Sequence, residues 1–289
     1  MVPRTSVTIA GWKLRTRTLA PGKIPLLMGI VNVTPDSFSD GGRFLSPAAA
    51  VEHGLRLAAE GADLLDVGGE STRPGAPPVS AAEELRRVLP VLKSLCERTA
   101  VPVSIDTMKA AVAREAVAAG VEAINDISGL TADAEMPALV AASGCGVCAM
   151  HMRGTPRTMQ TDPVYENVVE EVFDYLRARR DALVSAGIDP GRIALDPGIG
   201  FGKALQHNLA LLAGIERFHA LGCSLLVGMS RKRFLGQLLG DVQADRTAGS
   251  IGAALAMARR GVEILRVHDV AAVRQALLVF EAIDRAELK

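Results

Sequence analysis

Residues 196–203 read Asp-Pro-Gly-Ile-Gly-Phe-Gly-Lys, a glycine-rich stretch of the kind that can bring bare backbone against a phosphate. The spacing excludes the nucleotide loops. Counting back from Gly202-Lys203 puts Pro197 where a Walker A loop needs its first glycine, and Ala204 stands where a Ser or Thr hydroxyl belongs. The dinucleotide fingerprint fails as well, because the third glycine falls at the wrong spacing and the stretch opens on Asp196, whose charge repels a pyrophosphate. Something other than a nucleotide phosphate has to explain Asp196.

Other residues capable of chemistry recur in matching places. Asn32, Asp66, Asp106, Asn125, His151, Asp196, Ser230 and the pair Arg266/His268 each close a short apolar run. Eight such runs lie at 26–33, 63–68, 101–106, 122–127, 146–152, 192–198, 224–230 and 263–269. Stretches with apolar positions three and four apart follow them, among them 48–60, 81–98 and 164–186. Strict alternation of strand and helix predicts a parallel sheet, and eight units predict one domain over 1–289, a closed α/β (β/α)8 TIM barrel. A doubly wound open sheet is the alternative.

In a barrel the C-terminal strand ends converge on one face, where such folds keep their chemistry. Side chains alternate inward and outward along a strand. Arg266 and His268 therefore point into the mouth while Leu265 and Val267 face the helices, and the same parity turns Ser104, Asp106 and Asp196 inward. Any one of these polar residues reads equally well as a turn former after a strand. That reading is poor for all of them together. Residues 7–18, ahead of the first run, alternate around Gly11-Trp12 and predict a short hairpin capping the N-terminal end of the barrel.

Lys and Arg total 32 and so do Asp and Glu, so no overall field attracts nucleic acid or anionic lipid, and no basic cluster with interleaved aromatics does so locally. Any charged ligand is small and held by a local site. The first residues lack a signal-like apolar core, and no run approaches the roughly 18 apolar residues of a membrane span. A cytoplasmic protein is expected. Cys145 and Cys148 form a lone CxxC inside an apolar run, which predicts buried reduced thiols rather than half a zinc site.

The strand ends together resemble the dihydropteroate synthases, the folate-pathway enzymes targeted by sulfonamide drugs. The resemblance is carried by GIVNVTPDSFSDGG (29–42), DVGGESTRPGA (66–76), SIDT (104–107), NDISG (125–129), MHMRGTPRTMQ (150–160), DPGIGFGK (196–203), SRKRFLG (230–236) and RVHDV (266–270). It implies a (β/α)8 barrel in which 4-aminobenzoate attacks the methylene of 6-hydroxymethyl-7,8-dihydropterin diphosphate. The products are then 7,8-dihydropteroate and pyrophosphate.

By the same resemblance, Asp106, Asn125, Asp196 and Lys232 hold the pterin, with Met150 and Val267 among the substrate contacts and Phe201 covering the aminobenzoate. A carboxylate suits the pterin's amino and ring N–H donors. Asp106 is further implied to stabilise positive charge developing on the methylene and ring, and Lys232 to donate to the pterin carbonyl. Thr72, Arg73, Arg266 and His268 contact the diphosphate, with Asp106, Lys232, Arg266 and His268 as the catalytic set. Asn32 is the implied ligand of Mg2+, directly or through water. The aminobenzoate carboxylate rests near the start of the helix after the seventh strand, beside Arg233. Segments 38–44 and 69–78, rich in Gly, Pro and Ser, are expected to be mobile until substrate binds, and a homodimer joined through outer helices is implied.

Two other functions use similar parts. A methyltetrahydrofolate–corrinoid methyltransferase shares the pterin-binding barrel but has no need of Arg73, SRKRFLG or Arg266/His268. A non-catalytic pterin-binding protein is expected to lack one of the strand-end ligands.

Overall fold

Short runs rich in Val, Ile and Leu become strands because branched side chains pack well on a pleated surface, and the Ala- and Leu-rich stretches between them become helices. The structure is a computed structural model that describes residues 11–34, 46–73, 75–159 and 161–286. Strands β1 (Trp12–Lys13) and β2 (Thr18–Leu19) form an antiparallel hairpin. There follow β3 (Leu26–Asn32), α1 (Pro47–Ala59), β4 (Leu64–Gly68), α2 (Ala81–Arg98), β5 (Val103–Asp106), α3 (Ala110–Ala118), β6 (Ala123–Asp126) and α4 (Met136–Ser143). The chain continues through β7 (Gly146–Met150), α5 (Val168–Ser185), β8 (Ile193–Asp196), α6 (Leu205–Ala213), β9 (Ser224–Val227), α7 (Arg233–Leu238), α8 (Thr247–Arg259), β10 (Ile264–Val267) and α9 (Val270–Asp284). Strands β3 to β10 close in parallel, with β10 paired to both β9 and β3. The open-sheet alternative is excluded.

Period-two alternation divides the apolar residues into two cores. Leu27, Val31, Leu65, Val67, Ile105, Ile124, Leu195, Leu225, Leu265 and Val267 pack outward against the helices. Leu26, Met28, Leu64, Ala123, Cys148, Ala194, Leu226 and Ile264 fill the barrel's lower interior. Trp12 and Leu14 of the hairpin join this inner core at 1% and 2% exposure, each contributing on the order of 2–3 kcal/mol through apolar burial. Trp12 Nε1 donates to the Arg192 carbonyl at 2.8 Å, and Glu122 accepts from Thr16 N at 2.8 Å, so the plug is also latched by polar contacts. The hairpin expected from the sequence is present, with its turn at 14–17 and Trp12 paired with Leu19. Residues 7–10 lie outside the described residues.

Helix starts follow their caps. Ser80 Oγ accepts from Glu83 N at 3.2 Å and begins α2 at Ala81, as expected from the sequence. Helix α5 begins at Val168 and not at 164, because Asn167 accepts from Glu170 N at 3.3 Å while Glu171 accepts from the backbone N–H groups of Glu166 and Asn167. Cys145 and Cys148 are buried free thiols, in agreement with the sequence reading. No described helix is long and apolar enough to cross a membrane.

Candidate active site

Strand alternation brings the polar residues expected at the barrel mouth together there, with the exception of His151. Strand register puts Asp106 of β5 beside Asn125 of β6, and Met150 of β7 beside Asp196 of β8. A cavity of about 1080 Å3 opens above them, lined by Asn32, Thr72, Arg73, Asp106, Phe201, Lys232, Arg266 and His268 among others. Asn125, Met150 and Asp196 are 3–5% exposed.

Arg266 is the hub. Its Nε donates to Asp66 Oδ2 at 2.6 Å and its Nη2 to Asp106 Oδ2 at 2.9 Å. Asp66 is wholly buried and also accepts from Ser104 Oγ at 2.6 Å and Asn125 Nδ2 at 3.1 Å. Two carboxylates, an amide, a hydroxyl and a guanidinium therefore form one continuous network across β4, β5, β6 and β10. Sequence alone marks Asp66 only as a strand-end residue. Its inward parity, shared with Ser104 and Asp106, was the available signal of its role.

Burial sets the protonation of these groups. Loss of water pushes the Asp106 carboxyl up to about 7 against the pull of Arg266, with Asp66 adding to the rise. Burial likewise raises Asp196, opposed by Lys232, and brings Lys232 down to about 8. Burial opposes the charge on Arg266, yet Asp66 and Asp106 hold its guanidinium above the usual arginine range. His268 is driven down to about 3 by burial and then by Arg266, Arg231, Arg73 and Lys232, so it is a neutral imidazole at pH 7. Ser230 Oγ accepts from His268 N at 3.2 Å and lies 3.0 Å from Nδ1. Placing the hydroxyl proton toward Nδ1 leaves an N–H on Nε2.

The glycine stretch has a packing role. Asp196 Oδ1 accepts from Gly198 N at 2.7 Å, while Gly198 has a φ of 69° and a Cβ there would lie 1.9 Å from the His151 carbonyl oxygen. At Gly202 (φ 66°), a Cβ would lie 2.5 Å from the Arg153 carbonyl oxygen. Only glycine permits this approach of the β8 loop to the residues after β7. Lys203, the residue that lends the stretch its nucleotide-loop look, is 3% exposed, with Nζ 2.9 Å from His151 Nδ1 and 2.9 Å from the Phe201 carbonyl. Burial, then Lys203, pushes His151 down to about 3, so its imidazole is neutral and Nδ1 accepts. Lys232 Nζ reaches the Ile199 carbonyl at 2.5 Å and stands 4.7 Å from the Phe201 ring centroid, so the loop roofs the cavity beside an ammonium.

Two sequence expectations need correction. His151 does not join the mouth: it follows the inward Met150, and its ring packs edge-on against Tyr175 of α5 at 4.8 Å. Val267 is 1% exposed and packs in the helix-facing core, which leaves only its backbone for a substrate. Of the segments expected to be mobile, 38–44 lies outside the described residues. In 69–78, Arg87 donates to the Gly69 carbonyl at 2.9 Å and Glu70 is held by Lys109 at 2.5 Å, so the base of this loop is tied down.

Among the described residues no group of three or more His, Cys, Asp or Glu side chains is placed to hold a metal ion. Asn32, half-buried at the end of β3, offers a single amide oxygen. That donor suits a hard cation that keeps most of its water and takes further oxygens from a bound phosphate.

The family model described as pterin binding enzyme matches residues 28–268. A dihydropteroate synthase of Neisseria meningitidis serogroup B is 48% identical over 265 residues, covering 90% of this chain and 93% of the relative. A solved structure of Xanthomonas albilineans dihydropteroate synthase with 4-aminobenzoic acid superposes with a TM-score of 0.85 at 50% identity, covering 91% of this chain and 94% of that one. Another structure of the Xanthomonas albilineans enzyme, in complex with 7,8-dihydropteroate, gives a TM-score of 0.82 at 48% identity, covering 91% and 95%.

Proposed function

Since the chain belongs to the pterin binding enzymes and within them to the dihydropteroate synthases, we propose that it joins 6-hydroxymethyl-7,8-dihydropterin diphosphate to 4-aminobenzoate by alkyl transfer. The aminobenzoate nitrogen forms a bond to the methylene carbon as the C–O bond to the diphosphate breaks. The electron pair of that bond leaves with pyrophosphate, and the nitrogen's proton passes to the leaving group or to water. The observation that carries this reading is the buried network joining Asp66, Arg266, Asp106 and Asn125 beneath an open polar cavity.

Asp196 and Asn125 supply acceptor and amide groups for a flat heterocycle bearing N–H donors and a carbonyl, and Lys232 donates to the carbonyl. Asp106, as the anion paired with Arg266, stabilises positive charge that develops on the methylene as the leaving group departs. Thr72 and Arg73 on the β4 loop, with Arg266 and the Nε2–H of His268, receive the diphosphate. Asn32 would hold Mg2+, which when bound neutralises charge on the phosphate oxygens. Phe201 covers the aminobenzoate, whose carboxylate rests at the start of α7 near Arg233.

A homodimer belongs to the same proposal. A cleft between α6, α7 and α8 is lined by Leu209, Leu212, Phe234, Leu235 and Met257, and Leu238 and Leu239 beside it are 52% and 53% exposed. We assign this face to a second copy; sedimentation of a Leu238→Asp variant as a monomer is the expected result.

The function is tested by pyrophosphate release with and without 4-aminobenzoate. Release dependent on the aminobenzoate supports the synthase. A methyltransferase or a non-catalytic binder would release none.

A further inference from the structure

Lys109 stands three residues after Asp106 at the N-cap position of α3 but makes no capping bond there, and its side chain turns to two carboxylates on other elements. Nζ donates to Glu84 Oε2 of α2 at 2.6 Å and to Glu70 Oε2 of the β4 loop at 2.5 Å. The other oxygen of Glu70 accepts from Val79 N at 2.9 Å, closing the base of that loop. Glu84 is wholly buried. A buried carboxylate cannot lose its cation cheaply, so the ammonium is fixed in place, and with it Glu70. A second tie runs from the same helix, where Arg87 Nη1 donates to the Gly69 carbonyl at 2.9 Å.

Glu70 is followed directly by Ser71, Thr72 and Arg73, and all four line the mouth. Three residues of chain reach at most about 10 Å, so fixing Glu70 confines where Thr72 and Arg73 stand. Lys109 does not line the mouth and is already shared between two carboxylates, which rules it out as a direct ligand of an anion. Neither Glu84 nor Lys109 has a part in the chemistry described above.

We propose that Lys109, clamped by Glu84, is a positioning residue that sets Glu70 and thereby the Thr72–Arg73 loop for the diphosphate of the substrate. The inference deepens the proposed function and rests on it. In strand order β4, which the Thr72–Arg73 loop follows, lies opposite β8, which ends on Asp196. Loss of the clamp should therefore weaken the grip on the diphosphate and spare the pterin.

Lys109→Met and Glu70→Gln would be compared with the wild type by calorimetry, using magnesium pyrophosphate as one probe and a pterin lacking the diphosphate as the other. Pyrophosphate affinity is expected to fall at least tenfold in both variants, with pterin affinity changed less than twofold and Lys109→Arg restoring part of the loss. In turnover, KM for the pterin diphosphate should rise more than kcat falls. Should Lys109→Met fail to fold, Glu70→Gln decides, since its amide oxygen keeps the contact with Val79. Unchanged pyrophosphate affinity in folded Glu70→Gln, or equal loss of both ligands, overturns the inference. Absence of aminobenzoate-dependent pyrophosphate release from the wild type would instead overturn the proposed function, and the binding comparison would still judge the clamp.

Discussion

Arg266 Nε meets the wholly buried Asp66 carboxylate at 2.6 Å across a separation of 200 residues, and the same guanidinium reaches Asp106 from its other arm. This relationship makes Arg266 a structural member of the barrel as well as the diphosphate ligand proposed above. An arginine at a barrel mouth is expected to be removable without harm to the fold. Here its side chain is 19% exposed and its removal would leave Asp66 buried without a cation.

Asp66→Asn should accordingly lower unfolding stability by about 3 kcal/mol, the scale for breaking a buried ion pair from one side. Urea titration measures this. The same variant should lose at least tenfold in kcat, because Arg266 would then be drawn toward Asp106 alone.

Asp196→Asn should weaken binding of a pterin by about 2–4 kcal/mol, because an acceptor-only carboxylate becomes a group that presents a donor to ring N–H donors. Calorimetry with a pterin analogue checks it. Unchanged affinity would leave the carboxylate with its bond to Gly198 N as a turn former only.

The pH profile follows from two groups. Asp106, pushed up to about 7 by burial, must be ionised to stabilise positive charge, so kcat/KM should rise as pH increases through 7. Lys232, brought down to about 8 by burial, must be protonated to donate, so kcat/KM should fall as pH increases beyond 8. A bell with its maximum between these values is expected. Residual activity of Asp106→Asn should keep the alkaline limb and lose the acid limb.

Binding should be ordered. If the diphosphate organises the mouth, then magnesium pyrophosphate together with a pterin lacking the leaving group should tighten binding of labelled 4-aminobenzoate at least tenfold, a positive coupling between sites. Arg73→Ala should remove much of that coupling. Arg73 is the cleaner probe than Arg266, since it is exposed at the rim and Arg266 is built into the Asp66 network. Aminobenzoate affinity indifferent to magnesium pyrophosphate in the wild type would refute the order.

The inward set at the mouth was legible in the sequence because a closed barrel forces side chains to alternate. Asp106, Asp196, Arg266 and His268 could only point inward once Leu265, Val267 and their counterparts pointed to the helices. The same rule, applied one residue further, places His151 outside the mouth and leaves Val267 no side-chain role there, so both corrections were within its reach. Tertiary structure alone decided which inward groups touch. Alternation fixes the face of a strand a residue occupies, while a hydrogen bond depends on which strands closure brings opposite each other and how far a long side chain reaches. That is why Arg266 with Asp66 and Asp106, Lys203 with His151, and Lys109 with Glu70 and Glu84 have no signature in spacing. Each joins separate elements: the Arg266 contacts exist only once closure seats β10 beside β3, while the other two need neighbouring strands paired in register.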